Sequence, residues 1–328
     1  MFDHYKVWQS YTPFHSSVNV QEYLHTIYHK SKFDEAEKKS YQNAYPFIYY
    51  LEHGKSYYQL SNQAPLSIKP VLLFYGMTQL LKASLLTVDP HYPESTSVLA
   101  HGVSTRKRKK QSYDFLKDEV KIQKNGLFSH FSLKMFHVEH LDGEKITMVS
   151  LLRRIPELNP LFKFSFMETS SYCLNKSNAY ANTFELTSKI LDCYHMTDDR
   201  FSNFIKDSNK RIQNISFNDK DNITISVSTS SLTPLQSFPF YYHLFEDSYY
   251  LSTDKELVKY FPEVMVHYLL LYNLSMISRY ETEWWSELLQ NSSTKDLPFI
   301  QQFIEITAVK IPYLLSEFLY SFKMNEPN

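Results

Sequence analysis

Residues Val71 to Val88 read VLLFYGMTQLLKASLLTV, and this run decides the fold. Apolar side chains recur on every side of it, with Pro70 before the first turn and Asp89-Pro90 after the last, so it reads as a helix with defined ends. Gln79 and Lys82 sit near its middle, where an amide and an ammonium would be costly in lipid. The run therefore predicts a helix in the middle of a protein bundle. A second run, Glu263 to Arg279 with HYLLLYNLSMIS at its centre, has the same character and follows Pro262.

The chain upstream of the first run is predicted helical. Val18 to Lys30 and Phe33 to Tyr58 carry apolar and aromatic residues at three- and four-residue spacing, with Pro46 expected to bend the second helix. From about Lys117 the pattern changes to short segments rich in branched and aromatic residues. Val120-Lys121-Ile122, Phe162 to Phe166, Ile223 to Val227 and Tyr241 to Leu251 read as strands, the last as a hairpin with its tip at Glu246-Asp247-Ser248. Helical pieces interrupt them at Val149 to Ile155 and at Thr197 to Lys206, where Thr197-Asp198-Asp199 suits a capped first turn. Ser170 to Asn182, rich in Asn and Ser, reads as a surface loop. After Trp284-Trp285, helices are expected at Phe299 to Val309 and Tyr313 to Phe322, separated by Pro312. The expected fold class is α+β and mostly helical. Residues 1–116 and 262–328 together form a helical bundle, and the mixed α/β segment 117–261 is inserted between them.

Composition narrows the chemistry. The chain has 34 basic and 35 acidic residues, a formal charge of -1, and so lacks a strong overall field toward nucleic acid or anionic lipid. Its five glycines, Gly54, Gly76, Gly102, Gly126 and Gly143, are scattered. A dinucleotide-binding GxGxxG, a phosphate-binding GxxxxGK[ST] and a GxSxG nucleophile elbow all need clustered glycines, and all three are excluded. Two cysteines, Cys173 and Cys193, have no CxxC spacing, which argues against a disulfide framework or a cysteine zinc site. The start, Met1-Phe2-Asp3-His4-Tyr5-Lys6, lacks the features of a secretory signal, and a cytoplasmic location is expected. Aromatic residues make up 16 % of the chain, with 26 Tyr and 24 Phe, the residue types that fill cores and anchor interfaces.

Two places carry candidate sites. The cationic run Arg106-Lys107-Arg108-Lys109-Lys110 could meet phosphate or nucleic acid, or be answered by Asp114, Asp118 and Glu119 nearby. Arg279 emerges at the end of the second apolar helix beside Tyr280, where its fork could clamp a carboxylate or phosphate against Trp or Tyr rings, or pair with Glu281 or Glu283 to close the end of the bundle; Lys82 on the first helix is its natural companion if the two pack side by side. With Tyr75 and His101 they form a candidate pocket: Tyr75, Lys82, His101, Arg279 and Tyr280. His137-Val138-Glu139-His140, with His130 nearby, has no HExxH spacing or fixed third ligand, and no metal is expected. Cys193-Tyr194-His195 and Asp219-Lys220-Asp221 read as a buried thiol and a turn. No cofactor is expected.

Four blocks carry a family resemblance: APLSIKPVLLFYGMTQLLKASLLTV (Ala64 to Val88), LAHGVSTRKRKK (Leu99 to Lys110), VKIQKNGLF (Val120 to Phe128) and YLLLYNLSMISRYETEWW (Tyr268 to Trp285). Together they resemble the YaaC-like proteins of Bacillus and relatives over essentially the full chain. The resemblance implies no particular reaction or catalytic residue. The family's gene neighbourhood, beside the gene for IMP dehydrogenase, makes that purine-synthesis enzyme a candidate partner. A looser architectural similarity is to HEPN-type bundles, whose RNA-cleaving Arg-x4-6-His motif is absent. None of Arg106, Arg108, Arg153, Arg154, Arg200, Arg211 or Arg279 has a histidine at that distance downstream. The expected function is a non-catalytic protein-interaction or regulatory module with a cytoplasmic protein partner. The alternative is an RNA- or nucleotide-binding helical bundle, including a degenerate HEPN-type ribonuclease. An enzyme built from dispersed side chains stays open.

Overall fold

The computed structural model describes residues 4–105, 113–177, 182–218, 222–228, 232–291 and 294–322. Among them are twelve α-helices and nine strands, and 60 % of the structure is helical, the α+β, mostly helical class expected from the sequence. The chain divides into a helical unit, residues 3–148 with 264–328, and a second unit whose described part lies within residues 149–263.

The helical unit begins with α1 (His4–Ser10), α2 (Ser17–Lys30), α3 (Ala36–Gln63) and α4 (Lys69–Val88). Ser16 caps α2, its hydroxyl accepting from the Asn19 N–H at 3.3 Å. Helix α3 continues through Pro46. Helix α4 has Pro70 in its first turn, where a missing N–H costs nothing, and is buried on most sides by Leu73, Phe74, Met77, Leu81, Ala83 and Leu85. It is the one described helix long and apolar enough to cross a membrane, yet 67 % of its apolar window is buried inside the protein. Two glycines let α3 and α4 approach closely. A Cβ on Gly54 would lie 2.8 Å from Leu80 Cδ2, and one on Gly76 would lie 2.9 Å from the Tyr58 ring.

A small antiparallel sheet of β1 (Val103–Thr105), β2 (Glu119–Ile122) and β3 (Lys145–Thr147), in that order, belongs to this unit, with α5 (Leu127–Phe136) between its last two strands. Asp89, just past α4, ties the helix end to α5: its N–H donates to Leu85 O at 2.8 Å, and its Oδ2 meets His130 Nε2 at 2.8 Å and Lys134 Nζ at 3.9 Å.

The second unit contains α6 (Met148–Leu152), α7 (Asn159–Phe166), β4 (Ser171–Lys176), β5 (Thr183–Thr187), α8 (Lys189–Tyr194), α9 (Asp198–Ser208), β6 (Ile212–Asn218), β7 (Asn222–Val227), β8 (Tyr241–His243) and β9 (Ser248–Ser252). Its six strands form one antiparallel sheet in the order β6-β7-β5-β4-β9-β8. Two expectations are corrected here. Phe162 to Phe166 is not a strand but the end of α7, which starts at Asn159-Pro160 and brings the Phe162 and Phe166 rings, four residues apart, to 6.2 Å. Ser170 to Asn182 is not simply a loop, because Ser171–Lys176 is a strand hydrogen-bonded on both sides, with Leu174 in the core. Thr197 precedes α9 as expected, but its side chain makes no capping hydrogen bond.

The chain returns to the helical unit through α10 (Glu263–Tyr280), α11 (Thr282–Asn291) and α12 (Asp296–Ser321). The two helices expected on either side of Pro312 are one, with Pro312 inside α12, and α11 occupies a stretch the sequence left unassigned. Helix α12 packs on α1 and α4. Tyrosine hydroxyls stitch this bundle to helix carbonyls: Tyr11 donates to Pro312 O, Tyr23 to Leu319 O and Tyr28 to Leu86 O, each at 2.7 Å. A ring and a hydroxyl are thereby buried together without an orphaned donor.

Candidate functional site

Four parts of the helical unit converge on His101. Its position is set by backbone rather than by its own helix or strand. Gly102 has φ +77° and Gly126 φ +133°, and a Cβ on Gly126 would lie 2.2 Å from Gly102 Cα. This contact presses the two loops together, and the His101 carbonyl accepts from Phe128 N–H at 3.2 Å and from the Tyr268 hydroxyl at 2.9 Å. The imidazole then lies edge-on among rings: Phe74 at 5.1 Å and Tyr75 at 6.4 Å from α4, and Tyr272 at 5.7 Å from α10.

Arg279, in the last turn of α10, is held beside this ring cluster. Its Nε donates to Ser275 O at 3.1 Å, Nη1 to the Tyr75 hydroxyl at 3.3 Å, and Nη2 meets Met276 Sδ at 3.2 Å. The guanidinium lies 5.9 Å from the Tyr75 ring centroid and 5.2 Å from that of Tyr280. Tyr280 itself is 65 % exposed. Tyr57 of α3 stacks on Tyr75 with ring centroids 6.0 Å apart and planes at 28°. Two turns further along α4, Lys82 Nζ stands 5.7 Å from the Tyr50 ring of α3. Tyr50 and Tyr57 on α3, Tyr75 and Lys82 on α4, and Tyr272 and Arg279 on α10 are each seven residues apart, so each helix contributes one stripe two turns long.

The electrostatics are one-sided. Lys82 and Arg279 are half-buried, and neither pairs with a carboxylate among the described residues. Burial pushes the Lys82 ammonium below its usual range. The His101 imidazole is held below its ordinary value first by burial and then by the positive charges of Arg279 and Lys82. Burial raises Tyr272, with Arg279 opposing.

All five residues of the candidate pocket thus lie along one stretch of the helical unit. Tyr75, His101, Arg279 and Tyr280 meet at one end, and Lys82 stands at the other. Tyr50, Tyr57 and Tyr272 were not singled out from sequence; their seven-residue spacing from one another or from Arg279 was the available signal. The run Arg106 to Lys110 and the Asp219-Lys220-Asp221 segment lie outside the described residues. His130 is engaged with Asp89, His140 Nδ1 lies 3.3 Å from Glu144 Oε2, and His137 closes α5 in a left-handed conformation. Cys173 is half-buried, whereas Cys193, read as a buried thiol, is exposed. Ending α8 one residue before the left-handed His195 leaves Cys193 on its outer side while Tyr194 turns inward, its hydroxyl on Ser252 O. A separate open groove of about 540 Å³ lies along α2, but the Asn19 amide and Thr26 hydroxyl on its wall already bond Pro13 O and Glu22 O.

A search of curated proteins and a search of solved structures each return no match. A family model does match, and it spans residues 12–319, which include every helix and ring of the His101 cluster. With that coverage, the chain belongs to the YaaC-like protein family.

Proposed function

We propose that the chain is a binding or regulatory module that recognises an anionic ligand through Arg279, His101 and Lys82. The observation carrying this reading is a pair of half-buried cations left without a carboxylate among the described residues. Proteins ordinarily pair such charges, because an unanswered buried charge costs free energy. A site that keeps two of them, with aromatic faces alongside, supports an anion supplied from outside. This is the coarser form of the nucleotide- or RNA-binding alternative raised by the sequence. The test is thermal unfolding of the intact chain with pyrophosphate or citrate at millimolar concentration. The melting temperature should rise for the wild type and not for the Lys82→Ala/Arg279→Ala variant, since a ligand binding only the native state stabilises it. A melting temperature indifferent to both anions removes the reading.

A protein partner is supported by a different face. On the outer side of α3, Tyr41, Tyr45 and Tyr49 recur every fourth residue and are 67 %, 52 % and 55 % exposed. Tyrosine is a residue that anchors interfaces, and three in line form a ridge suited to docking. IMP dehydrogenase, suggested by the family resemblance, is the direct probe. The expectation is a complex on gel filtration that Tyr45→Glu/Tyr49→Glu abolishes; co-elution unaffected by that variant would rule out the ridge.

A further inference from the structure

On the reading of the Tyr41, Tyr45 and Tyr49 ridge as a protein interface, the charges beside the rings identify the partner. Helix α3 turns Ala44, Phe47, Ile48 and Leu51 into the core, and its opposite side leaves Lys38, Tyr41, Tyr45, Tyr49 and Glu52 exposed. Seven residues make two helical turns less about 20°, so Lys38, Tyr45 and Glu52 lie nearly on one line along the helix. Four residues make one turn plus about 40°, which puts Tyr41 and Tyr49 one turn to either side of Tyr45, on opposite flanks of that line. The stripe therefore reads cation, three rings, carboxylate, and is symmetric about Tyr45 in everything but the sign of its end charges.

A surface of that form fits itself. Turned about a two-fold axis at Tyr45, perpendicular to the helix, a second α3 runs antiparallel to the first. Lys38 of each copy then meets Glu52 of the other, Tyr41 comes beside Tyr49, and the two Tyr45 rings meet at the axis. Both ion pairs form together, because a closed two-fold interface repeats every contact. A parallel pairing would instead set Lys38 against Lys38 and Glu52 against Glu52.

Within one chain neither end charge is strongly committed. Lys38 Nζ reaches Glu35 Oε1 at 2.6 Å, but both side chains are more than half exposed, and such a pair contributes little. Glu52 pairs with no cation among the described residues. The Tyr45 and Tyr49 rings lie with centroids 6.1 Å apart, so they present one surface. We propose that α3 is the interface of a homodimer, in which two copies of this chain pack antiparallel through the tyrosine ridge with a Lys38–Glu52 pair at each end. The area sets its strength. A helix of 28 residues is about 42 Å long and about 10 Å across, an outer face on the order of 400 Å² for each copy. A standard interface buries about 800 Å² on each side, so this dimer is a weak and reversible one that forms in the micromolar range.

The measurement is sedimentation equilibrium of the intact chain from about 1 to about 200 µM. The wild type should pass from monomer to dimer across that range, and Tyr45→Glu, which sets two carboxylates face to face at the axis, should remain monomeric. Lys38→Glu should weaken association about tenfold, since the change enters both ion pairs at once. The exchange Lys38→Glu/Glu52→Lys should return it to near the wild-type value, while circular dichroism confirms the fold of each variant. Weakening that the exchange does not restore overturns the antiparallel pairing, and a dimer indifferent to Tyr45→Glu overturns the ridge as its interface. A wild type that stays monomeric overturns this inference. If the gel-filtration complex expected above then forms and is lost in Tyr45→Glu/Tyr49→Glu, the ridge still stands as an interface for a different protein; only if that complex also fails do both readings fall.

Discussion

At His101 and Lys82 the protein holds ionisable groups where their charged forms are disfavoured, and this has a measurable sign. The folded-state value of His101 lies below its ordinary 6.5, so between that value and 6.5 the unfolded chain binds the proton that the native chain refuses. Stability attributable to His101 is therefore full above about pH 6.5 and is lost as pH falls through the folded value. His101→Gln should lose less stability than the wild type between pH 7.5 and pH 5.5 in urea melts, with ligand absent. An equal acid slope in both proteins would mean that the imidazole titrates freely. Lys82 has the same sign at the other end of the scale: its depressed ammonium destabilises the native state until pH rises toward the usual lysine range. The charges at positions 82 and 279 were legible in the sequence because each leaves an apolar helix. The rings that accompany them were not, since one tyrosine in 26 is distinguished from another only by which turn of which helix it faces.

At the scale of elements, the α3–α4 pair depends on two residues without side chains. Gly→Ala inside a helix normally stabilises by up to about 1 kcal/mol through backbone entropy. At Gly76 the new methyl would meet the buried Tyr58 ring at 2.9 Å and Tyr57 Cβ at 3.1 Å, so Gly76→Ala should instead cost on the order of 1–3 kcal/mol. Gly54→Ala meets the end of a flexible leucine and should cost less. Chemical denaturation of the two variants decides this, and a stabilised Gly76→Ala would show that the helices have room to part. The same close packing explains which elements could be read in advance. Helices α4 and α10 are apolar on nearly every side, and only the interior of a bundle accommodates that. In Phe162 to Phe166 the alternation FKFSF satisfies a strand period, yet the Asn159-Pro160 start commits the chain to a helix, leaving Phe164 86 % exposed. For Ser171–Lys176 the opposite holds: a polar sequence is ordered as strand by its neighbours on both edges, which no local pattern announces.

For the whole molecule, the second unit has a core of its own, with Leu151, Leu152, Ile155, Leu158, Phe162, Leu186, Ile190, Ile223, Ile225 and Leu251 fully buried. Arg154 is tied inside it to the Tyr241 hydroxyl at 2.6 Å and to Leu257 O at 2.8 Å. Its length is that of an ordinary domain, and residues 149–263 expressed alone should unfold cooperatively on heating. A broad, non-cooperative melt of that fragment would show that it borrows its order from the rest of the chain. The helical unit has no such independence, because α4 is packed between α3, which precedes it, and α12, which follows only after the whole second unit. During synthesis at about 5–20 residues per second, α4 therefore leaves the ribosome on the order of ten seconds before its far partner exists. For that interval the side of α4 that α12 covers in the finished protein has no native neighbour to close over it.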